Sequence, residues 1–87
     1  MGQHAKSHRL YTLLHQLDRA RIHYSLTRVR DDTVMIQAVV PGRRYEIEVF
    51  SDGSIEVEIF GSTVNLRREE AVKELLANYS DDSDATA

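Results

Sequence analysis

The chain has 87 residues, of which 41% are hydrophobic and 29% are charged, and its formal net charge is −3. This length predicts one small domain, and the absence of cysteine excludes disulfides and thiolate sites, which favours the reducing cytoplasm. No apolar run approaches the ~20 residues that a membrane-spanning helix needs, so no membrane association is expected. The net negative charge disfavours nucleic acid as the main partner, because phosphate binding needs a concentrated basic patch.

The chain begins with a polar segment, residues 1–6, which we expect to be flexible. Leucines at helical spacing then predict a first helix from Ser7 to about Arg21. Arginines near its C-terminal end complement the helix dipole. The predicted helix has one apolar stripe, formed by Leu10, Leu13, Leu14 and Leu17.

Alternating apolar and polar residues predict four strands in the centre of the chain. The first begins at Ile22, directly after the helix, and ends in a turn at residues 30–32. The second covers residues 34–40, the third 44–50 and the fourth 55–60. Consecutive short strands joined by tight turns indicate an antiparallel meander.

The turn between the third and fourth strands determines which side chains share a face. A three-residue loop at 51–53 pairs Val49 with Ile55 and keeps one face apolar, whereas a two-residue loop would mix the faces. Like charges directly opposite each other destabilise a sheet, so a hairpin that carries them indicates a partner or a solvated surface. The three-residue register sets two such pairs: Glu48 with Glu56, and Glu46 with Glu58.

A second helix is predicted after the strands, capped by Thr63 or Asn65 and reaching about Tyr79. Residues 80–87 are small and acidic, and we expect this tail to be disordered. Residues 7–79 then form a single α+β domain of order α-β-β-β-β-α, a four-stranded antiparallel meander with an N-terminal and a C-terminal helix. Because each helix has a single apolar stripe, both are expected to pack on one face of the sheet and to leave the other face open.

The open face is predicted to have an acidic centre and apolar ends, with Arg44 and Gln37 partly compensating the carboxylates. One interpretation is an ordinary solvated face, since antiparallel sheets often carry polar residues on one side. The apolar residues on the same face favour a covering partner instead. The predicted partner-binding residues are Met35, Arg44, Glu46, Glu48, Phe50, Glu56, Glu58 and Phe60.

Clustered carboxylates can also bind a metal ion, but side chains that stand on a flat sheet diverge, and no EF-hand loop is present. The chain contains no Gly-rich phosphate loop, no G-x-S-x-G elbow and no H-E-x-x-H motif. We therefore expect no catalytic residues, no metal site and no cofactor. The histidines are interpreted as surface residues: His4, His8, His15 and His23.

The central stretch carries a family resemblance. The segments 30–36, 40–50 and 52–58 resemble a group of small bacterial proteins of helix-meander-helix layout, and they are similar to the compact immunity proteins that neutralise bacterial toxins. The likeness covers about residues 22–60 and consists of turn and strand chemistry. It implies the fold more than the function, and no functional residue follows from it.

These observations predict a non-catalytic protein-binding module of the bacterial cytoplasm, of the immunity-protein kind, whose open face meets a basic partner such as a toxin. One alternative is a homo-oligomer in which the same face pairs with its symmetry mate and Arg44 contacts a glutamate across a two-fold axis. The other is a nucleic-acid-associated regulator. That regulator would use the arginines of the first half of the chain: Arg19, Arg21, Arg28 and Arg30.

Overall fold

A computed structural model of the chain describes residues 8–61 and 65–79. The segments 1–6 and 80–87, for which flexibility and disorder are predicted, lie outside the described residues, as do Ser7 and Thr63. The predicted order of one helix, four strands and one helix is confirmed. The elements are α1 (Arg9–Ala20), β1 (Tyr24–Arg30), β2 (Thr33–Val40), β3 (Arg43–Phe50), β4 (Ile55–Phe60) and α2 (Arg68–Tyr79).

The four strands form one antiparallel sheet in the order β1-β2-β3-β4, as predicted. The turn between β3 and β4 has the predicted three-residue register, with Val49 opposite Ile55. Gly53 takes the positive φ of 93° that the turn requires. Asp52 stabilises the same turn by accepting hydrogen bonds from the hydroxyl and the backbone N–H of Ser54, which hold the pKa of the Asp52 carboxyl below its usual value.

Both helices lie on the same face of the sheet, and their stripes pack against the inward side chains of the strands. The core therefore forms between the helices and β2–β4, which is the two-layer packing that a chain of this size can build. The largest fully buried side chains come from the two helices and from β2 and β3: Leu13, Leu17, Ile36, Tyr45, Ile47 and Leu75.

Helix α1 crosses the sheet diagonally, and its two ends are anchored at opposite corners. At its start, the ring nitrogen Nε2 of His8 lies 2.8 Å from the carbonyl oxygen of Ser51 in the β3–β4 turn, while Nδ1 accepts the N–H of Leu10. At its other end, Asp18 accepts a hydrogen bond of 2.8 Å from the hydroxyl of Tyr24 in β1. The sequence prediction did not assign His8 this capping role.

The diagonal path leaves one corner of the apolar face without a helix above it. Leu26 of β1 is 49% exposed, although it lies on the same face as its fully buried cross-strand partner Ile36. A cavity of about 390 Å³ opens in this corner, with Tyr11 and Val34 among its lining residues. The helices therefore pack on the predicted face but leave Leu26 of β1 partly exposed.

The starts of β1 and α2 differ from the prediction for local backbone reasons. Arg21 adopts a left-handed conformation with φ of 60° and closes α1 in a Schellman arrangement, so β1 begins at Tyr24 and not at Ile22. Arg68 has φ of 52°, which interrupts a right-handed helix, so α2 begins there and not just after Asn65.

Candidate functional site

The four predicted glutamates come together on the open face, and we refer to them as the glutamate quartet: Glu46, Glu48, Glu56 and Glu58. They belong to two rows that cross all four strands. Directly opposite residues of an antiparallel sheet have Cβ atoms about 4.5–5.5 Å apart, so the two carboxylates of each row are close neighbours. The rows read Ser25-Gln37-Glu46-Glu58 and Thr27-Met35-Glu48-Glu56.

Glu46 is held by the two neighbours that the sequence predicted. The Nε atom of Arg44 lies 3.2 Å from its Oε2 atom, and the side-chain amide of Gln37 donates a hydrogen bond of 2.8 Å to the same oxygen. Because charge-assisted hydrogen bonds are short and directional, these contacts fix the position of the Glu46 carboxylate. The side chain of Glu46 is only 21% exposed.

Glu48 receives a cation that the sequence analysis missed. The pairing of β1 with β2 shifts between Arg28 and Arg30, which makes Val29 an extra residue. Such a bulge turns the following side chain to the other face, so Arg30 stands on the open face and its Nε atom lies 3.4 Å from Oε2 of Glu48. That oxygen is buried and accepts no hydrogen bond, so the Arg30 charge is its nearby compensation.

The remaining pair of the quartet lies on β4 and is more exposed. Glu56 accepts a hydrogen bond of 3.0 Å from the guanidinium of Arg68, which belongs to α2 and reaches around the β4 edge from the other face. Among the described residues, no cation lies within ion-pair distance of the exposed Glu58. The negative charge of the face is therefore most accessible at Glu58.

The apolar residues of the open face are less exposed than predicted. Phe60 lies beneath the guanidinium of Arg44, whose central carbon is 4.3 Å from the ring centroid. Phe50 and Met35 are also half-buried, and only Val39 is largely exposed, at 58%. Phe60 thus packs against Arg44, and much of the apolar surface at the ends of the face is shielded from water.

A second polar cluster, on the helix-covered face, was not predicted. The hydroxyl of the buried Tyr45 donates to Glu74 of α2, and Arg43 lies 2.5 Å from the same carboxylate. Contacts with Tyr45 and Arg43 hold the pKa of Glu74 below its usual value, while burial, followed by the hydrogen bond to Glu74, raises the pKa of Tyr45 to about 12. These three residues join α2 to β3 and stabilise the packing of the helix on the sheet.

The arginines considered for nucleic acid occupy separate places. Arg19 and Arg21 lie at the end of α1, whereas Arg28 and Arg30 lie at the opposite end of β1. Arg28 donates to the carbonyl oxygens of Arg30 and Asp31, which closes the β1–β2 turn. They therefore do not offer a continuous surface to a phosphate backbone.

We expect Arg30→Gln to lower the free energy of unfolding by about 1 kcal/mol, since it removes the charge next to the shielded Glu48 oxygen. Arg68→Gln is the matched control, because its partner Glu56 is 47% exposed and water can replace the lost contact. Urea unfolding at neutral pH measures both. A control that loses as much stability as Arg30→Gln would show that the shielding of Glu48 has no energetic consequence.

The described residues lack two further features, a cluster that could hold a metal ion and a helix that could cross a membrane. Within 8–61 and 65–79, no three His, Asp or Glu side chains are grouped closely enough to hold a metal ion. Over the same residues, no helix is both long and apolar enough to cross a membrane. The predictions of no catalytic residue and no cofactor stay predictions.

No protein-family model, no curated protein and no solved structure matches this chain. The resemblance to toxin-immunity proteins therefore stays a prediction, and any functional assignment depends on the geometry of the open face.

Proposed function

We propose that this chain is a non-catalytic protein-binding module whose open sheet face binds a basic protein. The observation that carries the proposal is the glutamate quartet, which sets two pairs of like charges directly opposite each other on a face that neither helix covers. Such pairs cost stability in the free domain, and the contacts of Arg44, Arg30 and Arg68 with three of the carboxylates compensate only part of this cost. A partner that supplies cations would recover that cost on binding.

The geometry of the quartet suits recognition better than catalysis. Glu46 and Glu48 are fixed by their neighbours, so their charges are preorganised and lose little conformational freedom when a partner arrives. Glu58 is exposed and can make the first electrostatic contact. Charges of this kind mainly raise the association rate and exclude partners of the same sign.

In its more specific form, the proposal takes the partner to be a bacterial toxin and this chain to be its cytoplasmic immunity protein. The acidic face supports this form through charge complementarity, since a basic enzyme that acts on nucleic acid would be blocked by an acidic surface. The homodimer through the same face is less well supported. It would require Arg44 to leave its contacts with Glu46 and Phe60.

The test is an affinity capture from the source organism with the parent chain and two charge variants. The variant Glu46→Gln/Glu58→Gln should fail to retain a basic protein that the parent retains. The control Asp31→Asn/Glu70→Gln changes the net charge equally but alters residues outside the open face, and it should retain that protein. Equal retention by both variants would contradict the proposal.

A captured basic protein then allows the immunity-protein form to be tested separately. We expect its expression alone to stop bacterial growth, and its co-expression with the parent chain to restore growth. Co-expression with Glu46→Gln/Glu58→Gln should restore growth poorly. A captured protein that binds through the quartet but is harmless would support the binding module and contradict the toxin assignment.

A further inference from the structure

The outer edge of β1 is an exposed surface distinct from the open face. β1 is the first strand in the sheet order, so within residues 8–61 and 65–79 no strand pairs with its outer side. All of its residues after Tyr24 are exposed. An uncovered edge presents unpaired backbone N–H and C=O groups that another strand can bind.

The backbone groups that point outward can be identified from the pairing with β2. The N–H of Val39 donates to the carbonyl oxygen of His23, so His23 and every second residue after it point their backbone groups toward β2. Tyr24, Leu26 and Arg28 therefore point theirs outward. The bulge at Val29 ends this regular stretch, and Leu26 is its centre.

The arginines that could protect this edge are engaged elsewhere. The Arg28 guanidinium bonds to carbonyl oxygens of the β1–β2 turn, and Arg30 pairs with Glu48 on the open face. The opposite edge of the sheet differs, because the Arg68 side chain reaches around β4 to Glu56. Only the β1 edge is thus both regular and unprotected in the described parts of the chain.

We propose that β1 binds β1 of a second copy of this chain, antiparallel and with Leu26 on the two-fold axis, to form a continuous eight-stranded sheet. In this register, all three residues whose backbone groups point outward find a partner. Leu26 pairs with Leu26 of the second copy, and Tyr24 pairs with Arg28 of the second copy. On the other face, Ser25 meets Thr27 of the second copy, a favourable hydroxyl pair. No like charges stand directly opposite each other.

A second copy fits this edge better than an unrelated strand because the sequence is self-complementary about Leu26. The half-exposed Leu26 would contact Leu26 of the second copy, and this contact would bury apolar surface that now meets solvent. If the axis passes through Thr27 instead, Leu26 pairs with the charged Arg28. If it passes through Arg28, the Arg28 side chains of the two copies stand opposite each other. The contact is short, so the dimer should be weak and visible only at high protein concentration.

Sedimentation of the purified chain up to about 1 mM tests the proposal. We expect the parent to dimerise reversibly and Leu26→Lys to raise the dissociation constant at least about tenfold, because the register sets two lysines opposite each other. Leu26→Glu should dissociate in the same way. An equimolar mixture of the two variants should dimerise again, since opposite charges then meet on the axis.

Val39→Lys is the control, because it adds the same charge to a largely exposed apolar position on the open face. It should leave the dimer intact, and circular dichroism should show that every variant is folded. A parent that is monomeric at about 1 mM would overturn the proposal, as would a Leu26→Lys variant that still dimerises or a mixture that stays monomeric. Loss of the dimer in Val39→Lys would place the contact on the open face instead.

Discussion

Ile36→Ala is expected to lower the free energy of unfolding by about 2–5 kcal/mol, because it removes a fully buried side chain and leaves a cavity that the sheet cannot close. Ile36 lies on β2 under the helices, at the centre of the core. A total stability of about 5–15 kcal/mol is usual for a domain, so this substitution can remove a large share of the stability.

Leu26→Ala is the matched control, since Leu26 lies directly opposite Ile36 on the same face. We expect it to cost less than about 1 kcal/mol, because half of its side chain is already in water. Urea unfolding of a dilute sample, in which chains are monomeric, measures both. Similar losses for the two variants would mean that the helices cover β1 as well as β2.

The second large effect is a two-sided pH dependence from the cluster of Arg43, Tyr45 and Glu74. The pKa of Glu74 is lower in the folded chain than in the unfolded chain, mainly because the Tyr45 hydroxyl and then Arg43 bind its charged form. Its contribution to stability is therefore present above its unfolded pKa and is lost as pH falls through the folded value. The pKa of Tyr45 is raised from 10.0 to about 12, so its contribution is present below pH 10.0 and is lost as pH rises toward about 12.

Two substitutions should separate the loss of stability at low pH, the acid limb, from the loss of stability at high pH, the alkaline limb. Glu74→Gln should lower the free energy of unfolding by about 1–3 kcal/mol at neutral pH and flatten the acid limb, because the charged acceptor is gone. Tyr45→Phe should flatten the alkaline limb between pH 10.0 and about 12. Unfolding curves measured from acid to alkaline pH provide the check. An acid limb in Glu74→Gln as steep as that of the parent would exclude Glu74 as its source.

The pairing of the glutamates could be predicted because side chains in a strand alternate and the loop length then determines which residues share a face. Only a three-residue loop kept Val49 and Ile55 on one side, and that choice alone set Glu46 opposite Glu58. The same alternation places Arg44 and Gln37 on the face of the carboxylates, although it does not identify Glu46 as their partner. This part of the site follows from local rules that tertiary contacts did not change.

The remaining contacts depend on features that alternation does not encode. Residues 27–30 read Thr-Arg-Val-Arg, and their weak apolar pattern gives no sign of the bulge that turns Arg30 to the open face. The helix path left Leu26 uncovered, which follows from where α1 is anchored and not from its sequence pattern. The partner of Tyr45 had one detectable signal, since a tyrosine at an inward position needs a polar group near its hydroxyl.

The association rate with a captured basic protein, measured at two ionic strengths, tests the role of the glutamate quartet most directly. We predict that Glu46→Gln/Glu58→Gln binds more slowly than the parent at low salt, and that raising the salt reduces this difference, because exposed charges steer encounter and are screened over about 10 Å at 0.1 M. The control Asp31→Asn/Glu70→Gln should bind nearly as fast as the parent. Glutamate variants that associate as fast as the parent at low salt would contradict the account and leave the open face as a solvated surface.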